Sequence, residues 1–133
     1  MKIFNKIKRR FQRKKLDEWF HVRFDEQGIY WQVEPPGKQS WTDQVGWDHI
    51  ECVCFKATDI FESDEILLFT DIRPESYVIP TEADGGETIL PELIDRKLYD
   101  AELAILAAGL TEGMLCHPDF KTYAAQKKMT DGK

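Results

Sequence analysis

The chain has 133 residues, 42% of them apolar, and carries 18 basic against 24 acidic side chains for a net charge of −6. That length and apolar share supply one domain's core without help from disulfides or metals, and they argue against disorder for most of the chain. No run approaches the roughly 20 apolar residues that span a bilayer, and charge interrupts any signal-like segment between Lys2 and Lys15.

The net charge conceals a split. Residues 1–15 hold eight basic side chains and no acidic one, so residues 16–133 carry 10 basic against 24 acidic, a net of −14. Within this arm Ile3, Phe4, Ile7 and Phe11 recur at spacings of three and four and predict an apolar helical stripe, with Arg9, Arg10 and Arg13 among the cations around it. Such a helix suits peripheral contact with an anionic membrane, or an acidic protein surface, the chain's own domain included. Nucleic acid is disfavoured as a partner because the acidic body repels it. The expected location is the cytoplasm, with the inner membrane face within the arm's reach.

The domain is expected over residues 16–128, with 129–133 a frayed tail. Alternation from Trp19 to Asp25 predicts a strand, Asp25-Glu26-Gln27-Gly28 a turn with Gly28 available for a positive φ, and Ile29 to Glu34 a second strand. Pro35-Pro36-Gly37-Lys38 reads as a loop, Gln39 to Val45 as a third strand and Gly46 to His49 as a tight or single helical turn. Ile50 to Ala57 is a fourth strand, and Glu65 to Thr70 with Ser76 to Pro80 a hairpin.

Beyond Thr81 the period shifts toward 3.6. Ile89, Leu90, Leu93, Ile94 and Leu98 predict a helix with Pro91 in its first turn. Asp100 is placed to cap a second helix that turns Leu103, Leu106, Ala107 and Leu110 to the core and stops at Gly113. Asp119 is placed to cap a third, containing Phe120 and Tyr123. The order predicts an α+β fold, a mostly antiparallel sheet of five or six strands covered by two or three C-terminal helices, either pleckstrin-homology-like or plainly layered.

The segments Phe24–Gly28, Val45–Ile50, Asp59–Glu65 and Val78–Pro80, with Gly85-Gly86 before a leucine-bearing helix, carry a resemblance. Over residues 19–98 the chain resembles a group of small uncharacterised bacterial α+β proteins. The resemblance implies a bacterial α+β domain and brings no catalytic residue with it.

Cys52, Cys54 and Cys116 cannot all pair within one chain, which favours a reducing compartment. Metal ligation by Cys52 and Cys54, with His49, Cys116 or His117, departs from the Cys-x-x-Cys spacing of zinc sites, and alternation explains the pair as two core residues. No cofactor is called for. His49 with Asp48, or Cys116 with His117, supplies the residue types of a small hydrolase, although adjacent side chains seldom face each other. Asp59, Glu62, Asp64 and Glu65 form an acidic cluster that suits a basic partner, and Trp31 with Trp41 an aromatic anchor if both face solvent. These features favour a non-enzymatic binding or regulatory module. An immunity-type protein that neutralises a basic toxin, the hydrolase, and homo-oligomeric structural use are the alternatives.

Overall fold

In the computed structural model, which describes residues 15–58 and 63–131, the alternating segments form strands, in two sheets rather than one. After a single helical turn, α1 (Leu16–Trp19), come β1 (Phe20–Phe24), β2 (Gly28–Val33) and β3 (Trp41–Gly46), an antiparallel sheet in the order β1-β2-β3. A 3₁₀ turn (Trp47–His49) leads to β4 (Ile50–Ala57), β5 (Glu65–Thr70) and β6 (Tyr77–Pro80). The chain continues through α2 (Gly86–Asp95), α3 (Ala101–Ala108), β7 (Gly113–His117) and α4 (Phe120–Asp131). The second sheet has the order β6-β5-β4-β7, antiparallel throughout. The fold is α+β, as expected. The single sheet of five or six strands is corrected to sheets of three and four, and β7 lies between helices.

The β1–β2 turn is held by Asp25, whose Oδ1 accepts the amides of Gln27 at 2.8 Å and Gly28 at 3.1 Å. This is the side-chain turn chemistry that favours aspartate here. Gly28 is required for a different reason from the one expected. It does not have a positive φ; instead a Cβ there would stand 2.1 Å from the Val45 carbonyl oxygen of β3.

β4 is buried along most of its length on both faces, because β5 and β7 flank it and apolar groups cover it. The sheets share one core, in which Val22, Ile29, Ile66, Leu68, Ile79, Ile89 and Leu93 are fully enclosed. Trp31 links them, donating from Nε1 to the Val78 carbonyl at 3.0 Å and stacking on Tyr77.

A strap from Ala83 to Gly85 closes the outer edge of β1. Val22 N donates to Asp84 O and Asp84 N to Phe20 O, both at 2.9 Å. The strap lies so close that a Cβ on Gly85 would stand 2.1 Å from the Val22 carbonyl oxygen, and Gly85 has φ 86°. Because α2 begins at Gly86, Pro91 falls in its second turn rather than its first. The residue pattern marked the apolar face and not this earlier start.

Asp119 does cap α4: its Oδ2 accepts the Thr122 amide at 3.3 Å and its carbonyl the Tyr123 amide at 2.9 Å. Phe120 packs on Phe69, and Tyr123 and Lys127 both bind Glu51, which lays α4 beside β4 and β5. The helix runs to Asp131, through residues expected in a frayed tail. Among the described residues no helix is long and apolar enough to cross a membrane.

Candidate functional site

Ile3, Phe4, Ile7, Arg9, Arg10, Phe11 and Arg13 lie outside the described residues, as do Asp59 and Glu62. Asp64 has an internal role, its Oδ1 accepting the Thr58 amide at 3.0 Å to shape the β4–β5 connection. Glu65 opens β5 opposite Lys56. The two tryptophans do not form a joint anchor. Trp31 is 3% exposed and belongs to the core, whereas Trp41, at the start of β3, is 44% exposed with its ring edge against Phe20. The register sets Trp41 opposite Val33, so both tryptophans share one sheet face, and Trp41 is left open by its place at the start of the edge strand β3.

The expected catalytic pairs are not assembled. His49 turns from Asp48 to Asp71, with Nδ1 2.8 Å from Oδ1. Cys116 is bonded to Cys54, so it offers His117 no thiol, and the expectation of three reduced cysteines is corrected to one disulfide with Cys52 free and buried. That pairing was hidden because Cys116 lies on β7, 62 residues from its partner. Burial, with the Asp119 carboxylate adding to it, pushes the Cys52 thiol up to about 11, which suppresses its thiolate.

A polar cluster that the sequence reading did not single out sits at the strap. Asp84 Oδ2 pairs with His21 Nδ1 at 2.8 Å and with Arg23 at 2.6 Å. The His21 hydrogen bond, followed by that of Arg23, holds the Asp84 carboxyl below its ordinary value. This cluster borders a shallow depression of about 410 Å³ on the outer face of the three-stranded sheet. The hydroxyls lining it belong to Tyr30 and Thr42, and Tyr30 donates to Asp25, so its phenol is raised rather than activated. The arrangement orients an imidazole without giving it an activated nucleophile.

A groove of about 530 Å³ runs between the β5–β6 connection and α4, with Phe69, Phe120 and Tyr123 among its walls. Its cations are largely engaged: Lys127 pairs with Glu51, while Arg73 pairs with Asp43 and lies over the Tyr77 ring.

The least satisfied surface is that of α3 and β7. Glu102 is the single polar residue in the sequence of α3, AELAILAA, and a helix so apolar is ordinarily enclosed. Here Ala107 alone among its residues is buried; Ile105 is 76% and Leu106 61% exposed, and Met114 on the adjoining β7 is 43% exposed. The expectation that Leu106 faces the core is thereby corrected, with Leu103 and Leu110 only partly buried against it. Glu102 and Glu112 are exposed on the same segment. β7 pairs with β4 on one side, and among the described residues no strand flanks its other side. The signal was present in the sequence as an octapeptide apolar but for Glu102, which no single buried face accommodates.

Comparison with protein-family models, curated proteins and solved structures finds no match to this chain.

Proposed function

We propose that this chain is a non-enzymatic protein-binding module whose docking surface is the face formed by α3 and β7, and whose partner presents a basic amphipathic segment. The observation that carries the reading is the exposure of Ile105 and Leu106 on a helix with almost no polar side chains. Contiguous apolar surface bordered by charge marks an interaction site more often than chance exposure does. Glu102 and Glu112, within a body of net charge −14, select a cationic partner and steer its approach. The side of β7 that no described strand flanks adds a sheet edge that an extended segment can engage.

The test uses a synthetic peptide of residues 1–15, a basic amphipathic probe, titrated into the isotope-labelled full chain. Resonance shifts are expected to concentrate on α3 and β7 and to weaken with salt. An Ile105→Glu, Leu106→Glu double variant is expected to keep its stability within about 0.5 kcal/mol per site while losing the saturable shifts. Shifts spread evenly over the acidic surface, or unchanged in the variant, would sink this reading.

A further inference from the structure

Three sulfurs converge at the middle of β4. Cys52 and Cys54 stand two residues apart on that strand, Cys116 lies directly opposite Cys54 on β7, and the three Sγ atoms are all within 4.8 Å of one another. Cys52 and Cys54 are fully buried and Cys116 partly so. The disulfide uses two of the sulfurs and leaves the third donating to the Pro118 carbonyl at 3.3 Å. Neither the packing of the sheet nor the α3–β7 docking surface needs a third sulfur there; a small apolar side chain would fill the same space.

We propose that, once the Cys54–Cys116 bond is reduced, Cys52, Cys54 and Cys116 form a three-thiolate site for a soft divalent d¹⁰ cation such as Zn(II) or Cd(II). Thiolates select such ions over hard ones. A zinc–sulfur bond of about 2.3 Å sets neighbouring sulfurs about 3.8 Å apart in a tetrahedral site. The sulfurs already fall within a comparable span, so the cluster needs the bonded pair to separate and no rearrangement of the strands. A divalent ion leaves one net negative charge among three thiolates, where a monovalent ion would leave two in a buried place. The Pro118 carbonyl, already a partner of Cys52, supplies an oxygen for a fourth position. Cys-x-Cys serves here, rather than Cys-x-x-Cys, because alternation along a strand puts residues two apart on one face and the third ligand arrives from the next strand.

The bond and the ion exclude each other. Two molecules of a small thiol supply two electrons and two protons, the Cys54–Cys116 bond becomes two thiols, and the reductant departs as its own disulfide. The cation then displaces three thiol protons to solvent.

The test uses the full chain in oxidised and reduced form, the latter freed of reductant under argon, titrated with Cd(II) while sulfur-to-metal charge-transfer absorption is followed. The reduced chain is expected to saturate at one equivalent with its circular dichroism unchanged, and the oxidised chain to show no such band. Cys52→Ser is expected to weaken binding by at least about tenfold and to remove roughly a third of the absorption. A second readout needs no variant: one equivalent of Cd(II) is expected to slow alkylation of all three thiols in the reduced chain, counted by mass. Absence of the band in the folded reduced chain, unchanged affinity in Cys52→Ser, or alkylation indifferent to Cd(II) would each overturn the assignment.

Discussion

The indole of Trp31 on β2 donates to the backbone carbonyl of Val78 on β6, 3.0 Å away, and so ties the three-stranded sheet to the four-stranded one. Its ring also stacks on Tyr77 in the same strand. One side chain therefore supplies both apolar area and the polar link between the layers. Trp31→Ala is expected to cost about 3–5 kcal/mol, because the cavity lies where two sheets meet and neither can collapse onto it. Trp31→Phe keeps most of the area but leaves the carbonyl without its donor, a loss of about 1–3 kcal/mol. Urea unfolding followed by circular dichroism distinguishes the two; a Trp31→Phe midpoint equal to that of the unsubstituted chain would show that the hydrogen bond contributes nothing.

Asp84 predicts an acid-sensitive strap. Its carboxyl is held below 3.8 in the folded chain, first by His21 and then by Arg23, so folding favours the ionised form. For a group with a depressed folded pKa, the stabilisation is complete above the unfolded value and disappears as pH falls through the lowered folded one. Asp84→Asn is therefore expected to lower stability at neutral pH and to flatten the decline below pH about 4. Unfolding midpoints measured from pH 6 to pH 2 check this, and parallel curves for the two proteins would contradict it.

Gly85 and Gly113 both have a positive φ, but they differ in their surroundings. A Cβ on Gly85 would meet the Val22 carbonyl oxygen at 2.1 Å, whereas one on Gly113 would meet nothing within 4 Å. Gly113→Ala is expected to cost about 1–3 kcal/mol from backbone strain alone. Gly85→Ala adds a backbone collision and should cost more, while speeding exchange of the Val22 amide as the strap lifts. Thermal unfolding of both variants provides the comparison; the reverse ranking would refute it.

Tyr99 sets the alkaline limit. Its hydroxyl donates to the Leu115 carbonyl at 2.9 Å, and burial, followed by Asp100 and Cys52, pushes its phenol up to about 12 from 10.0. A raised folded pKa means stabilisation present below the unfolded value and lost as pH rises through the folded one, here across roughly pH 10 to 12. Tyr99→Phe is expected to be less stable at neutral pH and to show a shallower decline over that interval. Tyrosinate absorption near the unfolding midpoint reports the ionisation directly.

The strands β1, β2 and β5 were legible because each carries its own alternation, as Phe20 and Val22 or Ile66 and Leu68 show by lying buried at every second position, and β4 was legible as an apolar run enclosed on both faces. β7 was not, since Gly-Met-Leu-Cys-His follows an apolar helix without a pattern of its own and its partner is distant in sequence. Exposure was lost for a related reason: the register of β2 with β3 puts Trp31 and Trp41 on one face, and Trp31 is enclosed in the central strand while Trp41 is left open at the start of the edge strand. The same limit applies to the cysteines. Cys52 and Cys54 were recognisable as neighbours on one face, but the third sulfur could be placed only by the pairing of β4 with β7. His21 and Asp84 meet through the strap, 63 residues apart in the chain, and no local spacing announces such a pair.

The position of β7 also sets a timetable for synthesis. β4 is central in its sheet, yet one of its two neighbours, β7, leaves the ribosome only after β5, β6, α2 and α3. The three-stranded sheet can pair as soon as Gly46 has emerged, and the strap follows once residue 85 is free. Throughout that interval β4, the most apolar strand of the four-stranded sheet, has one row of backbone groups unclaimed. Nascent chains stalled before residue 113 should therefore be the aggregation-prone species, and those stalled with β7 outside the tunnel should not.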